Sequence, residues 1–228
     1  MKKWELKALA ISVLTAGLIA AGPARADNIT GGAVTGGSAF TAGGTFDHLT
    51  VPFGTVTSPA NTVGNDNFED SPNLFAFAEV QNRTLTSNLA TDVGQNPIPA
   101  GTTINSDFVT FEPDGSGFDL IGHVDFSSKV LGIITLDASL IASEFLGASG
   151  ITYMYVPDVG LEPGDVVSID GSNPNQIDWN TSASVPGDSV RVITAAAVTT
   201  PVPEPSSLLL IATGLLGLGG TLKRKFFA

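Results

Sequence analysis

Apolar residues recur along this chain at period two and in short runs, and clusters of Gly, Pro, Asn and Asp separate the runs. That pattern predicts strands and turns rather than helices. The predicted strands are Phe46–Phe53, Leu74–Gln81, Thr102–Phe111, Phe118–Phe126, Val130–Leu136, Ile151–Val156, Val166–Ile169, Gln176–Trp179 and Ser189–Ala195. Turn clusters such as Glu112-Pro113-Asp114-Gly115, Glu162-Pro163-Gly164-Asp165 and Pro186-Gly187-Asp188 lie between them. In such clusters Pro presets φ, Gly supplies positive φ, and Asx side chains bond their own backbone. In Phe118–Phe126, the set Phe118, Leu120, Gly122, Val124 and Phe126 alternates with Asp119, Ile121, His123 and Asp125. This predicts a half-buried strand with His123 facing outward. Thr102–Phe111 is less regular, because Ile104, Phe108 and Val109 cannot share one face. Only Asp137–Phe145 reads as helix, with Asp137 as N-cap and Gly147 as stop. The expected class is all-β, an antiparallel β-sandwich with jelly-roll or Greek-key wiring.

The two ends break this pattern. Lys2, Lys3 and Lys7 precede an apolar stretch from Ala8 to Ala21, and Ala24-Arg25-Ala26 supplies small residues for cleavage. Residues 1–26 therefore read as a signal peptide cut after Ala26 by signal peptidase. Residues 27–45 follow as a Gly/Thr-rich leader or loosely paired edge strand, and residues 46–198 as the acidic sandwich domain. Beyond it, residues 199–228 carry a proline-rich spacer, Pro203-Glu204-Pro205, an apolar run at about 206–222, and Lys223, Arg224 and Lys225. Spanning a membrane takes roughly 17–25 apolar residues, so the run is a marginal transmembrane helix. The positive-inside rule leaves the three basic residues in the cytoplasm and the domain outside. Pro203 and Pro205 hold the tripeptide extended and accessible at the membrane surface.

This tail resembles the PEP-CTERM sorting signal of Gram-negative bacteria, a module also labelled an ice-binding protein C-terminal domain. The resemblance implies removal of the tail by an exosortase, an integral-membrane transpeptidase-like enzyme. It also implies transient anchoring in the inner membrane and passage to the cell surface or exopolysaccharide matrix. A structural or adhesive role in such an envelope is the expectation. The alternatives are a carbohydrate- or calcium-binding module and, further off, a secreted hydrolase.

Charge narrows the partners. The chain has 22 Asp+Glu against 10 Lys+Arg, and residues 27–200 keep only Arg83, Lys129 and Arg191 as cations against twenty acidic side chains. Such a surface repels phosphate backbones, which excludes nucleic acid. With no cysteine, thiol catalysis and Cys-type zinc sites are excluded as well.

Catalytic motifs are missing, so no enzyme is expected: there is no Gly-x-Ser-x-Gly elbow, His-Glu-x-x-His or phosphate loop. His123, Asp125, Ser127 and Ser128 lie close together but on a solvent-facing strand. No cofactor is expected. The one alternative is calcium on the oxygen-rich stretch Asn65-Asp66-Asn67-Phe68-Glu69-Asp70, with Asp66, Glu69 and Asp70 as ligands. Tyr153, Tyr155 and Trp179 are the aromatic side chains a sugar platform would use, although core packing suits Trp179 better.

Overall fold

Residues 27–51, 53, 59–64, 70–115 and 117–196 are described by the computed structural model. The chain divides into two units, residues 1–196 and 197–228. Ala24 and Ala26, the tripeptide at Pro203, Glu204 and Pro205, the apolar run and Lys223, Arg224 and Lys225 thus lie outside the described residues. So do Asp66 and Glu69.

Thirteen strands are formed among the described residues: β1 Ile29–Gly36, β2 Phe46–Leu49, β3 Thr62–Val63, β4 Leu74–Ala78, β5 Arg83–Thr84, β6 Val93–Gly94, β7 Thr103–Phe111, β8 Phe118–Phe126, β9 Val130–Ile134, β10 Thr152–Tyr153, β11 Val166–Ile169, β12 Gln176–Ala183 and β13 Asp188–Ala195. One sheet has four strands in the order β1-β8-β12-β11. A second has seven, in the order β2-β4-β7-β13-β9-β6 with β5 also on β7. Strands β3 and β10 form a parallel pair. In the two larger sheets, every pairing is antiparallel except that of β2 with β4.

The first core lies between the two larger sheets. Leu120, Val124, Ile177 and Trp179 of the four-stranded sheet share a cluster with Ala76, Val109, Val190 and Val192 of the seven-stranded one. Trp179 is 1% exposed, and its indole N–H donates to the Thr181 hydroxyl at 2.9 Å. Burial of apolar surface, worth roughly 25 cal/mol per Å², makes this cluster a source of cohesion between the sheets. A second core covers the other face of the larger sheet. There Phe75, Phe77, Phe108 and Ile193 pack against Leu89, Ile98, Leu140, Leu146 and Val159 from the connecting segments. Both faces of β4, β7 and β13 are consequently buried, which is why Ile104, Phe108 and Val109 fit no single face. Strand β8 keeps one face toward solvent and alternates as expected.

The Gly/Thr-rich stretch is part of this fold. β1 is an edge strand on β8, and a short helix, α1 (Gly37–Thr41), follows it. Asn28 is buried: its Nδ2 donates to Asp107 Oδ2 at 3.1 Å and to Thr194 Oγ1 at 2.7 Å, and its Oδ1 accepts from Ser127 Oγ at 2.6 Å. β12 runs to Ala183, four residues beyond its expected end, because Thr181 and Ala183 continue the inward set of Ile177 and Trp179.

Helix α2, Asp137–Ala142, ends short of the predicted Phe145 and gives way to a 3-10 turn at Glu144–Leu146. Its N-cap is Leu136 rather than Asp137. The Asp137 carboxylate instead accepts the N–H groups of Asp158 and Gly160, at 3.2 and 2.6 Å. The helix start is served from a distance by Asp92, which accepts the N–H groups of Thr135 and Leu136 and the Ser139 hydroxyl. Among the described residues no helix is long and apolar enough to cross a membrane.

Candidate functional site

Strand β13 carries two buried charged residues, Asp188 and Arg191, three positions apart and therefore on opposite faces. On the second-core side, Arg191 is fully compensated. Its Nε donates to Glu79 Oε2 at 2.6 Å and its Nη2 to Glu79 Oε1 at 2.8 Å, a bidentate pair. Nη1 donates to the Leu140 carbonyl at 3.1 Å and to Ser143 Oγ at 2.5 Å, and Nη2 also reaches the Tyr155 hydroxyl at 3.4 Å. Ser106 Oγ adds a bond of 2.6 Å to Glu79 Oε2. The guanidinium lies 5.7 and 5.5 Å from the ring centres of Phe108 and Tyr153. Burial opposes its charge, but Glu79 holds its pKa above the ordinary arginine value.

Asp188 is placed differently. It opens β13 opposite Phe111, directly after Gly187. Gly187 has φ +81°, and a Cβ there would run into the Phe111 carbonyl oxygen, so the turn requires glycine. The Gly187 N–H closes the turn on the Ser184 carbonyl at 2.5 Å. Facing it is the Glu162-Pro163-Gly164-Asp165 turn, closed by the Asp165 N–H on the Glu162 carbonyl at 3.1 Å. Asp165 is steadied because its Oδ1 accepts the Ser182 N–H at 2.8 Å. Between the two turns lies a cleft of about 480 Å³ into which Asp158, Glu162, Asp165 and Asp188 project, with no Lys, Arg or His in its lining. Oxygens of Glu162, Asp165 and Asp188 all lie within 4.8 Å of one another. Asp188 is 1% exposed, and among the described residues neither of its carboxylate oxygens makes a well-formed hydrogen bond, although the Thr181 hydroxyl and the Glu162 carboxyl lie near enough to act on it. Burial pushes its carboxyl up to about 8; the Thr181 hydroxyl nearby works the other way, and the charges of Asp165 and Glu162 add to the rise.

A third buried carboxyl, Asp107, sits between these extremes. Neutral amides hold it: Asn28 Nδ2 at 3.1 Å and Gln81 Nε2 at 3.2 Å. Burial raises its pKa to about 8, the Asn28 bond lowers it, and Asp27 and Glu79 contribute further rises.

The residues singled out in the sequence mostly fall elsewhere. Asp70 is exposed and joins no carboxylate cluster among the described residues. His123 is half-buried, 3.6 Å from Asp125 on the outer face of β8, while Ser127 is engaged by Asn28. The rings of Tyr153 and Tyr155 stack at 6.0 Å, but they pack against the second core rather than forming a platform. The cleft went unrecognised in the sequence because its two turns read as ordinary Pro/Gly turns. The only available signal was an acidic residue beside each Pro-Gly pair.

Residues 201–225 match the family model of the PEP-CTERM protein-sorting motif. The motif implies an exported protein processed by an exosortase-type membrane enzyme. No curated protein and no solved structure matches the chain.

Proposed function

We propose that this chain is a structural or adhesive component of the cell surface or exopolysaccharide matrix, delivered there through its C-terminal signal. The observation that carries the proposal is the sorting-motif match at residues 201–225, at the end of an acidic, β-rich chain. On this reading residues 1–26 are removed by signal peptidase. The segment at about 206–222 then holds the chain in the inner membrane with Lys223, Arg224 and Lys225 on the cytoplasmic side, until the exosortase cuts near Pro203-Glu204-Pro205. On the same reading the two larger sheets are the layers of a Greek-key sandwich, which the alternation of β7, β8, β9 and β11 between sheets supports. The domain assists no reaction and acts by being displayed. Its acidic surface keeps it soluble and favours cationic over anionic partners.

The test is a Glu204→Ala variant in a host that encodes an exosortase. Export and folding should be unaffected, and the variant should accumulate as a membrane-bound precursor still ending at Ala228. Wild-type protein that also retains its last residues in that host would reduce the tail to a plain anchor.

A further inference from the structure

We propose that Glu162, Asp165 and Asp188 form a binding site for one divalent cation, and that the cation is Ca²⁺. Three carboxylates converge with oxygens within 4.8 Å of one another. That separation is about twice a Ca²⁺–oxygen distance of about 2.4 Å, so a single ion can bridge them. A surface cluster of acids alone would say little, since exposed carboxylates are satisfied by water. Asp188 is the exception: it is 1% exposed, lines the cleft, and neither of its oxygens makes a well-formed hydrogen bond among the described residues, the nearby Thr181 hydroxyl being a neutral neighbour that does not balance a charge. Burying a carboxylate without a partner is costly, and native chains pair such groups or give them to a metal. The seven-stranded sheet did the former three residues away, at Arg191 and Glu79. At Asp188 the neighbouring charges among the described residues, Asp158, Glu162 and Asp165, are all of the same sign.

The donor set identifies the class of ion. Every candidate ligand is oxygen, which suits hard cations and not the softer metals that seek imidazole or thiolate. Calcium is favoured over magnesium by the site's construction. Glu162 and Asp165 stand on one turn and Asp188 on another, and such a loop-built site accommodates the irregular, many-oxygen shell of Ca²⁺ better than the tight octahedron of Mg²⁺. Asp158, which also lines the cleft, and bound water are available to complete that shell. A dissociation constant of about 10⁻⁴–10⁻³ M, usual for extracellular modules, would keep the site filled outside the cell.

Two rival accounts exist for the same geometry: a proton shared between Asp188 and Glu162 that neutralises the cleft without metal, or calcium bound at Asp66, Glu69 and Asp70 instead. Thermal unfolding and calorimetric titration of the purified full chain separate them. Calcium at about 100 times its dissociation constant should raise the melting temperature by about 5–10 °C over chelator, with one ion bound per chain. Asp188→Asn and Glu162→Gln should each weaken binding at least about tenfold. Asp188→Asn should also melt no lower than wild type in chelator, which shows that its loss is not one of folding. A joint Asp66→Asn and Asp70→Asn variant should respond to calcium as wild type does. Identical melting in chelator and calcium overturns the proposal in favour of the shared proton. Loss of response only in the Asp66/Asp70 variant overturns it in favour of the other loop. An equal or stronger response to Mg²⁺ overturns the assignment to calcium. None of these outcomes depends on the tail, so failure here leaves the sorting proposal untouched.

Discussion

Glu79 and Asp188 are both carboxylates withdrawn from water, yet one is surrounded by donors and the other by acids. Glu79 receives two bonds from Arg191 and one from Ser106. Asp188 receives no well-formed bond among the described residues, has only the Thr181 hydroxyl nearby, and faces Glu162 and Asp165. The first centre is closed: aromatic rings flank it, the Leu140 carbonyl and Ser143 hydroxyl cap it, and nothing is left to bind. The second opens on a cleft. The contrast teaches that burial alone does not distinguish two carboxyl groups: what differs is whether the fold supplies a compensating partner.

The sharpest way to break the comparison is to make Glu79 resemble Asp188. Arg191→Met removes the cation paired with Glu79 and should cost about 3–5 kcal/mol in a denaturant titration, because an uncompensated charge stays inside. Combining it with Glu79→Leu should recover much of that loss, whereas additivity of the two would mean the pair is not coupled.

Asp107 tests the intermediate case, a carboxyl held by amides. In the folded protein it keeps its proton up to about pH 8, while an unfolded aspartate gives it up near the model value of 3.8. The folded state therefore binds more protons across that window, and stability should fall as pH rises through it, by at most about 1.4 kcal/mol per pH unit, levelling off above about 8. Asp107→Asn should flatten the slope measured by chemical unfolding at a series of pH values. An unchanged slope would assign the pH dependence to other groups.

The smallest effect belongs to the exposed control. His48 Nε2 lies 2.7 Å from Asp27 Oδ2, but both side chains are more than a third exposed. Water already screens such a pair, and Asp27→Asn should change stability by less than about 1 kcal/mol.

Legibility in the sequence followed the same division between water-facing and enclosed structure. Strand β8 could be read residue by residue because Asp119, Ile121, His123 and Asp125 lie on its outer side. Strands β7 and β13 lost their period because connecting segments cover the face that an ordinary two-layer fold would expose. The end of β12 was hidden because Asn180-Thr181-Ser182-Ala183 looks polar although Thr181 and Ala183 point inward. The sorting tail was the easiest part, since its function is written in linear order and needs no fold. The cleft was the hardest. Glu162 and Asp165 are separated from Asp188 by the whole β11–β12 hairpin, and it is the antiparallel pairing of β11 with β12 that brings the turns together.

Asn28 bonds to Thr194 across 166 positions of chain, and this sets an order of events for a polypeptide that leaves a translocation channel N-terminus first. In such an order strand β1 would be outside while its partner β8 and the strand bearing Thr194 were still to come. For that interval it is a naked edge, the kind of segment that recruits neighbouring chains. Its composition answers the hazard: Ile-Thr-Gly-Gly-Ala-Val-Thr-Gly offers two large apolar side chains in eight residues. The glycines that weaken it as a strand leave little for another molecule to grip. The last strand among the described residues supplies the hydroxyl that fastens the first, so a chain emerging in that order would make this bond only after all thirteen strands were out.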